Sequence, residues 1–201
     1  MRGWLRTRTA WWALLTAGLL PLVWLVWRTL TDQLGANPAE TLIRATGDWT
    51  LRGLCLTLAI TPLRVQLGWP ELARFRRLLG LLTFGYASLH LVCYAWFDMG
   101  LDWADIVRDI PKRPFVLVGS LAFALLTLMA ATSWNGAIRS LGARRWQALH
   151  RSVHAVAVLA ILHFWWMRAG KNNFSEGGVY GLILAALLGW RLKRRLNDHR
   201  A

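Results

Sequence analysis

Cysteine is scarce in this chain of 201 residues; the two present are Cys55 and Cys93. Both stand inside apolar stretches, and neither belongs to a Cys-x-x-Cys pair or a Cys-x-x-Cys-His run. This excludes a disulfide framework and covalently attached heme. Acidic residues are also few: 10 Asp and Glu stand against 24 Lys and Arg, and charged residues of both signs make up only 17% of the chain. The resulting net charge of +14 invites a nucleic-acid reading. No recognisable RNA- or DNA-binding module accompanies it, so nucleic acid is excluded as a partner. The basic residues cluster instead in short segments between apolar blocks, as cytoplasmic loops of membrane proteins do.

What the chain has in abundance is apolar sequence, 56% of its residues. These residues come in long blocks rather than amphipathic stripes, which places the chain in the membrane class. The blocks fall at about 11–30, 49–63, 78–97, 115–131, 148–167 and 179–190. Most are near the ~20 residues that cross a bilayer as a helix, with the sixth short. Helices are expected because they satisfy every backbone polar group internally. Many of the 14 tryptophans sit near block ends, as interfacial anchors do. The N-terminal Arg2, Arg6 and Arg8 followed by an apolar run resemble a signal peptide. No small-residue cleavage site follows, so the run reads as the first span.

Between the blocks, Asp32–Asp48 reads as a polar loop and Gln66–Arg77 as a short connection. Asp98–Asp109 reads as an acidic loop, the segment around Arg139, Arg144 and Arg145 as a basic loop, and Gly177-Gly178 as a turn. With the N-terminus inside, the internal segments hold most of the Lys and Arg, and the acidic loop lies outside. The expected fold is an all-α integral membrane protein. It is a single domain over 1–201, a bundle of about six transmembrane helices with both termini cytoplasmic, in contact with membrane lipid. Gly177, Gly181, Ala185 and Gly189 recur every four residues in the sixth helix and predict a close-packing stripe.

Five histidines occur: His90, His150, His154, His163 and His199. His199 lies in the polar tail. The other four stand in or at the edges of apolar blocks, where ionisable side chains are costly and usually functional. His90 is thirteen residues past Arg77, and His163 is five before Arg168. Helices three and five both run outward, so the two histidines fall at matched depth in the outer half of the membrane. They are candidates for a facing pair of axial ligands, the arrangement of a low-spin b-type heme. His150 is thirteen residues before His163, a rise of roughly 20 Å on one helix, which suits a second cofactor near the inner face. On one ideal helix the two side chains differ by about 220°, and no histidine in the inner half of helix three partners His150. His154 shares a face with His150; it reads as a ligand or as an interhelical hydrogen-bonder. A zinc or copper site lacks a carboxylate or thiolate at these depths to complete four ligands. Arg52 and Arg113 are cations on or near the outer side. Two readings stand for each, snorkelling to headgroups or pairing with heme propionates; snorkelling is favoured for Arg52, and the two are even for Arg113.

Several runs together resemble a known family: Thr61-Pro62-Leu63-Arg64, Arg76-Arg77-Leu78-Leu79-Gly80-Leu81, Leu89-His90-Leu91 and Lys112-Arg113-Pro114-Phe115. Thr132-Ser133, Leu141-Gly142, Trp146, Leu149-His150-Arg151 and Leu162-His163-Phe164 complete the likeness. It is to the heme-binding membrane subunit of the bacterial periplasmic methionine sulfoxide reductase system, within the ferric-reductase-like transmembrane superfamily. The resemblance implies a multi-pass protein of the cell inner membrane that binds one or two hemes b and, by family attribution, FMN. It implies electrons taken from the quinone pool or a cytoplasmic flavin reductase. They would pass to a periplasmic molybdopterin-containing reductase subunit that repairs oxidised proteins. Carried over by position, the heme histidines are His90, His150 and His163, while His154 stands where the family has an aromatic residue. No phosphate-cradling glycine loop places the FMN.

The chain stops about ten residues past the sixth block, too little for a dinucleotide-binding unit, which needs roughly thirty. The expectation is a separate reductant. Sulfoxide chemistry is likewise expected on a partner, since no cysteine has an aqueous, nucleophile-ready setting, and no catalytic residue is assigned. Two other functions compete with this one. The first is direct reduction of ferric or other metal ions, with the acidic loop attracting cations. The second is a transporter, or a structural subunit, using its histidines for protons or packing.

Overall fold

The computed structural model describes residues 3–169 and 175–198. Most of the described residues are helical, and none of them lies in a strand. The helices are α1 (Arg8–Leu30), α2 (Pro38–Gln66), α3 (Phe75–Cys93), α4 (Trp103–Lys112), α5 (Pro114–Ala131), α6 (Asn135–His150), α7 (Val153–Ala169) and α8 (Ser175–Asp198). Short 3-10 turns cover Trp4–Arg6 and Pro70–Arg74, and α3 runs on into a π-helical turn, Tyr94–Asp98. The chain divides into two compact units, Met1–Asp102 and Trp103–Ala201.

Four helical segments are long and apolar enough to cross a membrane: Arg8–Leu30, Pro70–Asp98, Pro114–Ala131 and Asn135–Arg168. The second and sixth expected spans lie on α2 and α8, which are not among these four. Both are helical as expected, but α2 opens on a polar third and α8 ends on a basic run, which lowers their apolar content.

In the first unit α3 packs against both α2 and α1. Ala10, Ile60, Phe75 and Leu79 are buried together, with Trp11 and Leu14 packed on them. The helices approach closely where side chains are small. A methyl group placed on Gly53 of α2 would lie 2.6 Å from the Thr83 hydroxyl of α3, and Thr83 is only 1% exposed. The phenol of Tyr86 donates to the Gly18 carbonyl of α1 at 2.8 Å. Exposed Arg6 reaches Glu71, whose side chain is buried, at 2.6 Å, which ties the N-terminal turn to the connection before α3.

The second unit has a matching plan. Its central helix, α7, packs on α5 and α8, and α4 packs on α5. The small-residue stripe of α8 holds for its first half only. Gly177 and Gly181 face Trp165 of α7, whereas Gly189 meets nothing within 4 Å and Ala185 is exposed.

Several segments expected as loops are helical. Residues 38–48 form the first turns of α2, where the Asn37 side chain accepts from the Glu40 amide at 3.1 Å and Glu40 pairs with Arg44 at 2.6 Å. These polar residues are a helix start rather than a loop. Most of the acidic segment folds as α4 and the basic segment as α6, with Gly142 at φ 74° marking a kink in α6. Arg76 and Arg77 belong to α3, and Gly177-Gly178 lies inside α8. The expected fifth span lies on α7 apart from its first residues, because α6 ends at His150 and α7 begins at Val153.

Candidate functional site

His90 sits near the C-terminal end of α3, against the N-terminal turns of α2. Its Nδ1 lies 2.8 Å from the carbonyl oxygen of Ile43. A carbonyl only accepts, so the proton is on Nδ1. The lone pair of the neutral ring is then on Nε2. Four residues past Ile43 is Gly47, where an added methyl group would stand 3.1 Å from the imidazole. The carbonyl has a second lone pair for the ring while its first serves the helix, and Gly47 leaves the ring room to reach it.

His163 repeats this arrangement within the second unit. It lies toward the C-terminal end of α7, beside the first turn of α5, with Nδ1 2.7 Å from the Phe115 carbonyl. Four residues past Phe115 is Gly119, where an added methyl group would come within 2.8 Å of His163 Nδ1. The Nδ1–H tautomer follows by the same argument, and Nε2 again carries the lone pair. Both rings are partly buried.

His150 is held differently. It closes α6 and stacks on Trp146, with ring centroids 4.0 Å apart. The Trp146 indole donates to the Thr132 carbonyl at 2.9 Å, and His150 Nε2 lies 3.2 Å from the Thr132 hydroxyl. That hydroxyl donates to the Leu128 carbonyl at 2.8 Å, so it accepts from His150 Nε2–H. The lone pair of this ring is then on Nδ1, the reverse of His90 and His163. Because His150 is not on α7, the angular offset expected for a single helix does not apply. The ruler between the two histidines is α5: His163 meets its first turn and His150 its C-cap, seventeen residues later, a separation of roughly 25 Å at 1.5 Å per residue.

His154 points elsewhere. Its Nε2 accepts from the Arg191 guanidinium of α8 at 3.0 Å, so this lone pair is spent on a helix-to-helix bond. His199 lies outside the described residues. Arg113 grips the Asp109 carboxylate, with Nε 2.7 Å from both of its oxygens, and its guanidinium lies 5.7 Å from the Phe115 ring centroid. Arg52 lies over the Trp49 ring at 4.7 Å, and Trp49 in turn stacks on Tyr86. Among the described residues no three His, Cys, Asp or Glu side chains gather as a metal-ion site.

The carbonyls of Ile43 and Phe115, with Gly47 and Gly119, have no counterpart in the sequence reading. A backbone acceptor leaves no mark on residue type; Gly119 is an isolated glycine in an apolar block, which hints at a packing reason, whereas Gly47 falls in a stretch read as a loop.

A family profile described as the ferric reductase like transmembrane component matches residues 12–162. Curated relatives align over most of the chain. A protein of Polaromonas naphthalenivorans is 60% identical over 91% of this chain and 87% of its own length. One of Herminiimonas arsenicoxydans is 53% identical over 87% and 80%, respectively. A Xanthomonas campestris relative is 47% identical over 96% and 88%. All three are named protein-methionine-sulfoxide reductase heme-binding subunit MsrQ.

The chain belongs to the MsrQ family.

It is therefore a multi-pass, ferric-reductase-like membrane protein. The region shared with that wider family takes in His90, His150 and His154 and stops one residue before His163. The MsrQ relatives extend the likeness over most of the chain. No solved structure matches the chain.

Proposed function

We propose that this MsrQ-family chain is the heme-binding, electron-carrying membrane subunit of a protein-methionine-sulfoxide reductase. The observation that carries the reading is the shared preparation of His90 and His163, each Nδ1–H given to a backbone carbonyl. A histidine that ligates iron through one nitrogen characteristically donates its other N–H to such an acceptor, which fixes tautomer and orientation. The donor set fits heme, with Nε2 of His90 and of His163 as the proposed axial ligands, and the matched depth expected from the sequence supports placing both at an outer heme. Heme bound there supplies one-electron carriage by cycling between ferric and ferrous iron.

His150 is proposed as a ligand of an inner heme by family likeness. Ligation through its Nε2 requires release of the Thr132 hydroxyl. Its distance from His163 along α5 suits a second carrier near the opposite membrane face. His154 is proposed to bind Arg191 rather than iron. The Asp109 carboxylate holds Arg113 at the head of α5. A propionate partner for this guanidinium belongs to the same proposal, beside snorkelling.

The wider reading is six membrane helices in one ferric-reductase-like domain, both termini cytoplasmic, in the bacterial inner membrane. Electrons enter from the quinone pool or a cytoplasmic flavin reductase and leave to a periplasmic molybdopterin-containing subunit, where the sulfoxide is reduced. FMN is proposed from the family likeness, with no residue assigned. The ferric reductase family description supports direct metal-ion reduction as a second reading. Ferric reduction by the reconstituted protein without a partner protein would favour that reading.

A pyridine hemochrome assay on protein purified from cells supplied with heme tests the proposal. Bands of b-type heme are expected at one or two per chain. Protein free of heme would overturn it and turn attention to a transport or structural role for the histidines.

A further inference from the structure

Each unit contains the same small device. A helix gives up a carbonyl at one position and places glycine four residues later. The histidine of the neighbouring helix fills the gap. In the first unit the members are Ile43, Gly47 and His90; in the second they are Phe115, Gly119 and His163. The chain has 17 glycines, and of those with described surroundings only Gly47 and Gly119 have an imidazole among the nearest atoms to an added methyl group. An alanine at either position would put a carbon 3.1 Å or 2.8 Å from the ring. The ring would then be displaced from the carbonyl that holds its proton. Loss of such an outer acceptor changes both the basicity and the direction of the ligating nitrogen.

We infer that Gly47 and Gly119 are positioning residues for heme ligation: each seats a histidine on a backbone carbonyl and thereby fixes which nitrogen faces the iron. Neither glycine touches iron or carries a proton. This inference rests on the assignment of His90 and His163 as heme ligands. It adds that the glycines determine the ligand field.

The test uses full-length protein in detergent, purified with its heme, as wild type, Gly47→Ala, Gly119→Ala and Gly85→Ala. Gly85 lies on α3 close to His90, and a methyl group there meets nothing within 4 Å. The readouts are heme retention, the low-temperature α-band, the midpoint potential and the low-spin ferric EPR signal. Gly47→Ala and Gly119→Ala should each weaken heme affinity about 10- to 100-fold, the range for loss of an outer partner of a metal-bound histidine. The heme that remains should show a shifted potential and EPR signal. Gly85→Ala should match wild type in every readout. Wild-type potential and EPR signals in both Gly47→Ala and Gly119→Ala, at full heme load, would overturn the inference. If either alanine variant fails to yield monodisperse helical protein, the wild type decides. Exchangeable Nδ1 protons seen by ENDOR on ferric heme, and retained for hours in deuterated buffer, support the seat on a carbonyl. Their loss within minutes contradicts it. Wild-type protein without heme would defeat the functional assignment itself, an outcome distinct from unchanged alanine variants.

Discussion

The Nδ1 atom of His163 lies 2.7 Å from the carbonyl oxygen of Phe115, and this hydrogen bond connects the C-terminal end of α7 to the first turn of α5. It settles the tautomer of a partly buried histidine and puts the lone pair of its ring on Nε2. In the other unit, His90 and the Ile43 carbonyl do the same. An unliganded packing histidine needs only some partner. Here two histidines have the same partner type through the same nitrogen, which matches a role at heme iron.

His154 should be dispensable for heme. Its Nε2 accepts from Arg191, and glutamine offers an amide oxygen for the same guanidinium. His154→Gln is expected to keep wild-type heme content and absorption bands. Its cost in stability should be within about 1.5 kcal/mol, the net value of one hydrogen bond. Heme quantification and thermal melting in detergent check this. Loss of a heme would return His154 to the ligand set.

Trp146 should stabilise His150 rather than bind a cofactor. The stack and the indole bond to the Thr132 carbonyl predict that Trp146→Leu lowers stability by about 1–3 kcal/mol, from an aromatic pair and one hydrogen bond. A double-mutant cycle with His150→Ala, read by unfolding in detergent, should give a coupling of at least about 0.5 kcal/mol. Strict additivity would show that the stack carries no energy.

Labelling should find α4 and α6 on opposite sides of the membrane. Both adjoin the ends of α5, an apolar helix of 18 residues, long enough at about 27 Å to reach across most of a hydrocarbon core. With single cysteines in a background lacking Cys55 and Cys93, Val107→Cys should react with an impermeant maleimide from the periplasmic side. Arg144→Cys should react only from the cytoplasmic side. Equal labelling of both from one side would contradict the proposed topology.

The histidines were conspicuous because an ionisable ring stands out in an apolar block, and their spacing from basic helix ends made a common depth for His90 and His163 the expectation. The helical nature of all six apolar blocks was legible for the same reason. The acceptor of His90 was not. Ile43 lies in a stretch that polar composition assigned to a loop, yet Asn37 as a cap and Glu40 with Arg44 as an ion pair are the start of α2. Residue type alone does not separate a polar loop from a capped helix start. The basic segment was misread likewise: Arg139, Arg144 and Arg145 lie on α6, which carries Trp146 up to His150. The break at Arg151–Ser152 has neither glycine nor proline to signal it, so the boundary between α6 and α7 inside the expected span was not foreseen.

The central claim is that His90 and His163 bind heme iron. The direct measurement is the reduced-minus-oxidised spectrum, with EPR, of His90→Ala and His163→Ala purified alongside wild type. Both variants are predicted to lose the same low-spin b-type signal while keeping wild-type helicity. A wild-type spectrum in both variants would contradict the account.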